Sequence, residues 1–186
     1  MKNLNKWIQA ISKNAILILT LGLFTTLVLL VNSIFKPRFT YLTQTFHYTS
    51  EYAYTFLSSI GPEGRNIHLL VLLADFFLII LYTLFLLGAN YRCFYSWVKN
   101  CTLLSLLTFF PLLLTIDQLL EIIGLAVLIL HYPTPFLGLA HTLSTLTTLK
   151  YYLTPLCFLL PLIGLGVKMI LNIKANKVKN NEKNYH

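Results

Sequence analysis

Four apolar runs, at residues 15–35, 67–89, 102–130 and 153–173, decide what this chain can fold into. About 20 helical residues cross the hydrocarbon of a bilayer, and each run is at least that long. In hydrocarbon every backbone amide must be paired within the protein. The runs also lack the in–out alternation of barrel strands, so they read as helices. The expected fold class is therefore all-α: a polytopic membrane protein built as a four-transmembrane-helix bundle. Composition agrees, because 56% of the 186 residues are hydrophobic and only 11% are charged, far from the balance of a water-soluble domain.

The first run follows Lys2, Lys6 and Lys13, as a secretory signal would. It is longer than the apolar core of a signal peptide and leads into Asn32-Ser33-Ile34-Phe35-Lys36-Pro37 with no small-x-small cleavage pattern, so it reads as a retained anchor. Lys2, Lys6, Lys13, Arg92, Lys99 and the lysines from Lys168 onward lie on one side of the four runs. Lys36, Arg38, Arg65 and Lys150 lie on the other. The excess of cations places the N-tail 1–14 and the C-tail 174–186 in the cytoplasm of a cell that carries this multi-pass protein in its cell membrane. The net charge of +8 then sets topology and attracts anionic headgroups; no nucleic-acid partner is implied. The C-tail, short and rich in Asn and Lys, reads as disordered. Cys93 and Cys101 fall at the cytoplasmic edge and Cys157 within the fourth run, so no disulfide is expected. The sequon Asn100-Cys101-Thr102 lies on the wrong side for glycosylation.

Between the first two runs, Phe46, Tyr52, Phe56 and Ile60 allow an amphipathic interfacial helix in the first outer loop, stopped by Gly61-Pro62. The link through Arg92 and Lys99 is short enough to make the second and third spans an antiparallel hairpin. His131-Tyr132-Pro133-Thr134-Pro135 is a sharp turn. Beyond it Leu139, Leu143, Leu146 and Leu149 mark one face of a helix that continues into the fourth span, where Pro155 and Pro161 predict kinks.

The chemistry lies in the acids. Of six in the chain, Asp75, Asp117 and Glu121 stand inside apolar runs. A charge near mid-bilayer costs roughly 2.5–3.5 kcal/mol on insertion scales, so such a residue faces the bundle interior and has a partner or a task. At about 1.5 Å per residue, Asp75 and Glu121 lie level, some 12 to 13 Å below the outer ends of their spans. Asp117 and Glu121 are four apart on one helix face, and His68 and Asp75, seven apart, share another. Arg65, His68 and Lys150, at the outer ends of the second and fourth spans, are the candidate cationic partners. The six residues Arg65, His68, Asp75, Asp117, Glu121 and Lys150 thus form one candidate site, with Arg65 and Lys150 holding an anionic group. His131 and His141 could join the acids around a metal, but the spacing matches no ligand pattern; no metal and no cofactor are expected. No hydroxyl has a base at a diagnostic spacing, so nucleophilic catalysis has no support.

The segments Gly61-Pro62-Glu63-Gly64-Arg65, Asp75 with Tyr82, and Pro111 followed by Asp117-Gln118-Leu119-Leu120-Glu121 resemble a family of small four-span membrane proteins with a Gly-x-x-Gly-Arg turn and intramembrane acids. The resemblance covers residues 52–150. Here Glu121 falls four residues after Asp117 rather than three, with Ile122 where that family has Asn. It implies the four-helix topology and one shared site of Arg65, Asp75, Asp117 and Glu121, and brings no activity with it. Three readings follow. The leading one is an outward-facing polar pocket for a lipid headgroup or small amphipathic ligand, in an accessory or transport role. The second is an intramembrane enzyme acting on lipid or isoprenoid-like substrates, with Asp117 or Glu121 as acid or base. The third is a structural subunit partnered by other membrane subunits, its carboxylates pairing helices.

Overall fold

The computed structural model describes residues 2–35, 42–98 and 102–183. Lys36, Arg38, Lys99, Asn100 and Cys101 lie outside them. Every regular element described is helical: α1 (Lys2–Ile11), α2 (Asn14–Phe35), α3 (Ser50–Ser59), α4 (Gly61–Val98), α5 (Thr102–Leu130) and α6 (Leu137–Lys183), with a single 3-10 turn at Leu42–Gln44. The fold is a helical bundle in which four helices, α2, α4, α5 and α6, are long and apolar enough to cross a membrane.

α4 is the hub. It packs against α5, α2, α6 and α1, and α5 packs in turn against α6. α2 and α6 both lean on α4 with little direct contact between them, which leaves a seam along the bundle. Almost no side chain of α2 is fully buried within the protein, and Ile18, Leu19, Leu21, Leu23, Leu29, Leu30 and Ile34 face outward, as suits a helix solvated by acyl chains. Where helices do approach closely, glycine makes it possible. A Cβ on Gly124 of α5 would meet Leu143 Cδ2 of α6 at 2.5 Å, and one on Gly164 of α6 would meet Cys93 Cβ of α4 at 2.7 Å.

The N-tail carries a helix of its own, α1. Ile8 and Ile11 of α1 are buried with Leu87 and Tyr91 of α4, while Trp7 remains exposed. At the other terminus α6 continues as helix to Lys183, past the expected boundary at 173, because nothing after Pro161 removes a backbone donor. Pro155 and Pro161 are both accommodated within that one helix.

The loop helix exists with a different inner face. α3 starts at Thr49, whose side chain accepts from the Tyr52 amide, and it buries Ala53 and Leu57 against α4 and α6. Phe46 and Tyr52 are exposed. Phe46 lies ahead of the helix and packs edge-on against Tyr151 and Tyr152 instead. α3 ends at Ile60, and Gly61 with φ +65° turns the chain straight into α4. On α6 the face turned inward is Ala140, Leu143, Ser144 and Thr147, and Leu149 is exposed. The leucine stripe was expected there; the hydroxyls displace part of it because buried polar groups on neighbouring segments need them as partners.

Candidate functional site

At one end of the bundle the segment from Leu42 to Tyr48 is strapped across α6 by hydrogen bonds. The Tyr48 amide donates to Ser144 Oγ at 3.0 Å, Thr148 Oγ1 to the Phe46 carbonyl at 2.9 Å, Tyr151 OH to the Gln44 carbonyl at 2.7 Å, and Lys150 Nζ to the Thr43 carbonyl at 2.9 Å. Beneath the strap, between α2, α4, α5 and α6, lies a cavity of about 320 Å³. Thr43 and Gln44 bound it at the strap, Phe24 and Val28 on the α2 side, and Asp75, Tyr82, Gln118, Glu121, Lys150 and Thr154 supply its polar groups.

Its centre is an ion pair. Lys150 Nζ reaches Glu121 Oε1 at 2.9 Å and Oε2 at 2.8 Å, and Thr147 Oγ1 donates to Oε1 at 2.6 Å. Glu121 is 2% exposed and Lys150 16%, so the pair stands largely apart from solvent, where its attraction is strong and either partner alone would be costly. Three ammonium hydrogens are matched by three acceptors: two carboxylate oxygens and Thr43. Across the cavity Tyr82 OH donates to Gln118 Oε1 at 2.7 Å, while the Phe24 ring stands edge-on to Tyr82.

Asp75 lines the same cavity without a hydrogen bond among the described residues, within coulombic reach of both Lys150 and Glu121. The lining therefore carries two carboxylates against one ammonium.

No family model matches this chain, and no curated protein or solved structure does. The site is therefore read from its own geometry.

That geometry brings Asp75, Glu121 and Lys150 together and leaves three other candidates out. Arg65 turns away from the cavity. Its Nη1 donates to the Leu57 carbonyl at 2.9 Å, satisfying an acceptor at the end of α3, and its guanidinium lies 4.3 Å over the Tyr132 ring. An anion clamp of Arg65 with Lys150 does not form. His68 is buried edge-on against Phe56, under α3. Asp117 is 5% exposed on the inner side of α5 but does not line the cavity, and neither of its oxygens has a hydrogen-bond partner among the described residues. No group of three or more His, Cys, Asp or Glu that could hold a metal occurs among the described residues. His131 Nδ1 lies 2.9 Å from the Val127 carbonyl of its own helix.

The sequence reading gave no site role to Thr147, Gln118, Tyr82 or the strap carbonyl of Thr43, although Tyr82 and Gln118 stand in the segments that carry the resemblance. Gln118 could have been found as an amide inside an apolar run, and Thr147 as the residue one turn before Lys150 on its helix face. The Thr43 contact had no signal, because a backbone carbonyl 107 positions from Lys150 leaves no mark on the pattern.

Proposed function

We propose that this multi-pass membrane protein binds the headgroup of a lipid, or a small amphipathic molecule, in the intramembrane cavity beneath the strap. The ligand would enter sideways from the bilayer through the seam between α2 and α6. The observation that carries the reading is Asp75. Lys150, the cation of the lining, is already held by both oxygens of Glu121 and by Thr43, so the cavity offers a carboxylate to a newcomer rather than an ammonium. The fitting headgroup bears an ammonium or another strong donor, with Gln118 and Thr154 beside it and a tail running between Phe24, Val28 and Phe158. The role would be an accessory or transport one in the cell membrane; the cation distribution supports only the orientation, with both termini cytoplasmic.

Acid–base catalysis has less support. Glu121 is engaged on both oxygens and Asp117 lies off the cavity, so neither is presented to a bound molecule as a free proton carrier.

The test is stabilisation of the purified protein in detergent by oleylamine compared with oleyl alcohol. The amine is expected to raise Tm in wild type and to lose that effect in Asp75→Asn. Equal stabilisation by the alcohol, or an undiminished amine effect in Asp75→Asn, would overturn the reading.

A further inference from the structure

A second cavity lies in the same seam, toward the end of the bundle that carries both termini. It measures about 430 Å³ and is walled by Leu17 of α2, Phe85 and Ala89 of α4, and Pro161, Leu162 and Leu165 of α6. Phe158 borders both this cavity and the upper one, and its ring stands between them. Taken together their linings run along α6 from Lys150 to Leu165, roughly 22 Å, and along α4 from Asp75 to Arg92, roughly 25 Å, most of the thickness of a hydrocarbon core.

The lower chamber differs in charge from the upper. Its wall is apolar except at the mouth, where Arg92 lines it beside Cys93, and no carboxylate takes part. The Cys93 thiol donates to the Pro161 carbonyl at 3.4 Å, which ties α4 to α6 there. Lys168, one turn beyond Leu165 and Gly164, lies with Arg92 within coulombic range of that thiol. Both cations are exposed, and no ion pair to either occurs among the described residues. Two unpaired cations over an apolar chamber, at the depth where a helix leaves the hydrocarbon, complement an anionic head on an acyl tail.

We infer that the lower chamber is a binding site for one anionic phospholipid of the adjoining leaflet, its phosphate on Arg92 and Lys168 and an acyl chain inserted toward Phe158. This site is separate from the cavity beneath the strap and does not depend on what that cavity binds.

Native mass spectrometry of the delipidated protein, titrated in detergent with dioleoyl phosphatidylglycerol or dioleoyl phosphatidylcholine, tests it. Wild type is expected to retain one phosphatidylglycerol with roughly tenfold or greater preference, as two cations near a headgroup would give. Arg92→Gln with Lys168→Gln should abolish the preference, and because both side chains are exposed the fold is preserved. Ala89→Phe, which fills the chamber and keeps both cations, should lose the retained lipid as well. Lys6→Gln, which removes an exposed cation that does not line the chamber, is the control and should keep it. Absence of preference in wild type, its survival in the double variant or in Ala89→Phe, or its loss in Lys6→Gln would each overturn the assignment.

Discussion

Lys150 and Glu121, 29 residues apart, meet with the ammonium across both carboxylate oxygens, and the same ammonium holds the Thr43 carbonyl of the strap. One side chain thus joins α6 to α5 and to the loop above them. Replacing Lys150 with Met strands a carboxylate that is 2% exposed, and the expected loss is roughly 3 kcal/mol in detergent unfolding. Lys150→Met combined with Glu121→Gln should recover most of that loss. Additive losses in the double-mutant cycle would show that the pair does not act as a unit.

Asp117 should respond in the opposite direction. Its oxygens lack hydrogen-bond partners among the described residues, so Asp117→Asn removes a charge that no hydrogen bond there compensates. Stability is expected to be unchanged or to rise by about 1 kcal/mol, while Glu121→Gln falls under the same conditions. A fall in both variants would mean that Asp117 also pairs helices.

Packing at the α5–α6 crossing gives a third test. Gly124→Val should cost roughly 1–3 kcal/mol, because even the first added carbon collides with Leu143. Gly138→Ala, where a Cβ meets nothing within 4 Å, should be neutral or slightly stabilising in the same thermal melt.

Tyr48 provides the pH dependence. Burial of its phenol, with the nearby Glu121 charge adding and a contact from Thr147 opposing, pushes its pKa from 10.0 up to about 12. In the unfolded chain the phenol ionises near its ordinary value. The neutral phenol's contribution is therefore fully present below pH 10 and is lost as pH rises through about 12. Tyr48→Phe should flatten that alkaline decline relative to wild type, and an identical decline in the variant would assign it to other groups.

The spans, the three intramembrane acids and the availability of Lys150 to Glu121 were legible because hydropathy and helical spacing fix both depth and face. What the pattern could not supply was the neighbour on each face. Asp117 and Glu121 are offset by about 40° around α5, enough for one to line the cavity and the other to miss it. His68 and Asp75 share a face but stand roughly 10 Å apart along the axis, and α3 covers the upper one. Arg65 was expected at the cavity; a helix end with an unsatisfied carbonyl lies closer to it. Such choices depend on how a loop folds back, which periodicity within the spans does not encode.

The order of the chain gives the Glu121–Lys150 pair a history. α2 contains no acid and packs chiefly on α4, so no charged partner has to arrive before it can take its place. Glu121 is different: its ammonium lies 29 residues further on, which at ordinary rates of synthesis is an interval of roughly one and a half to six seconds. During that interval the α5 carboxyl has no ammonium to meet it, and the pair is completed only when α6 arrives beside it.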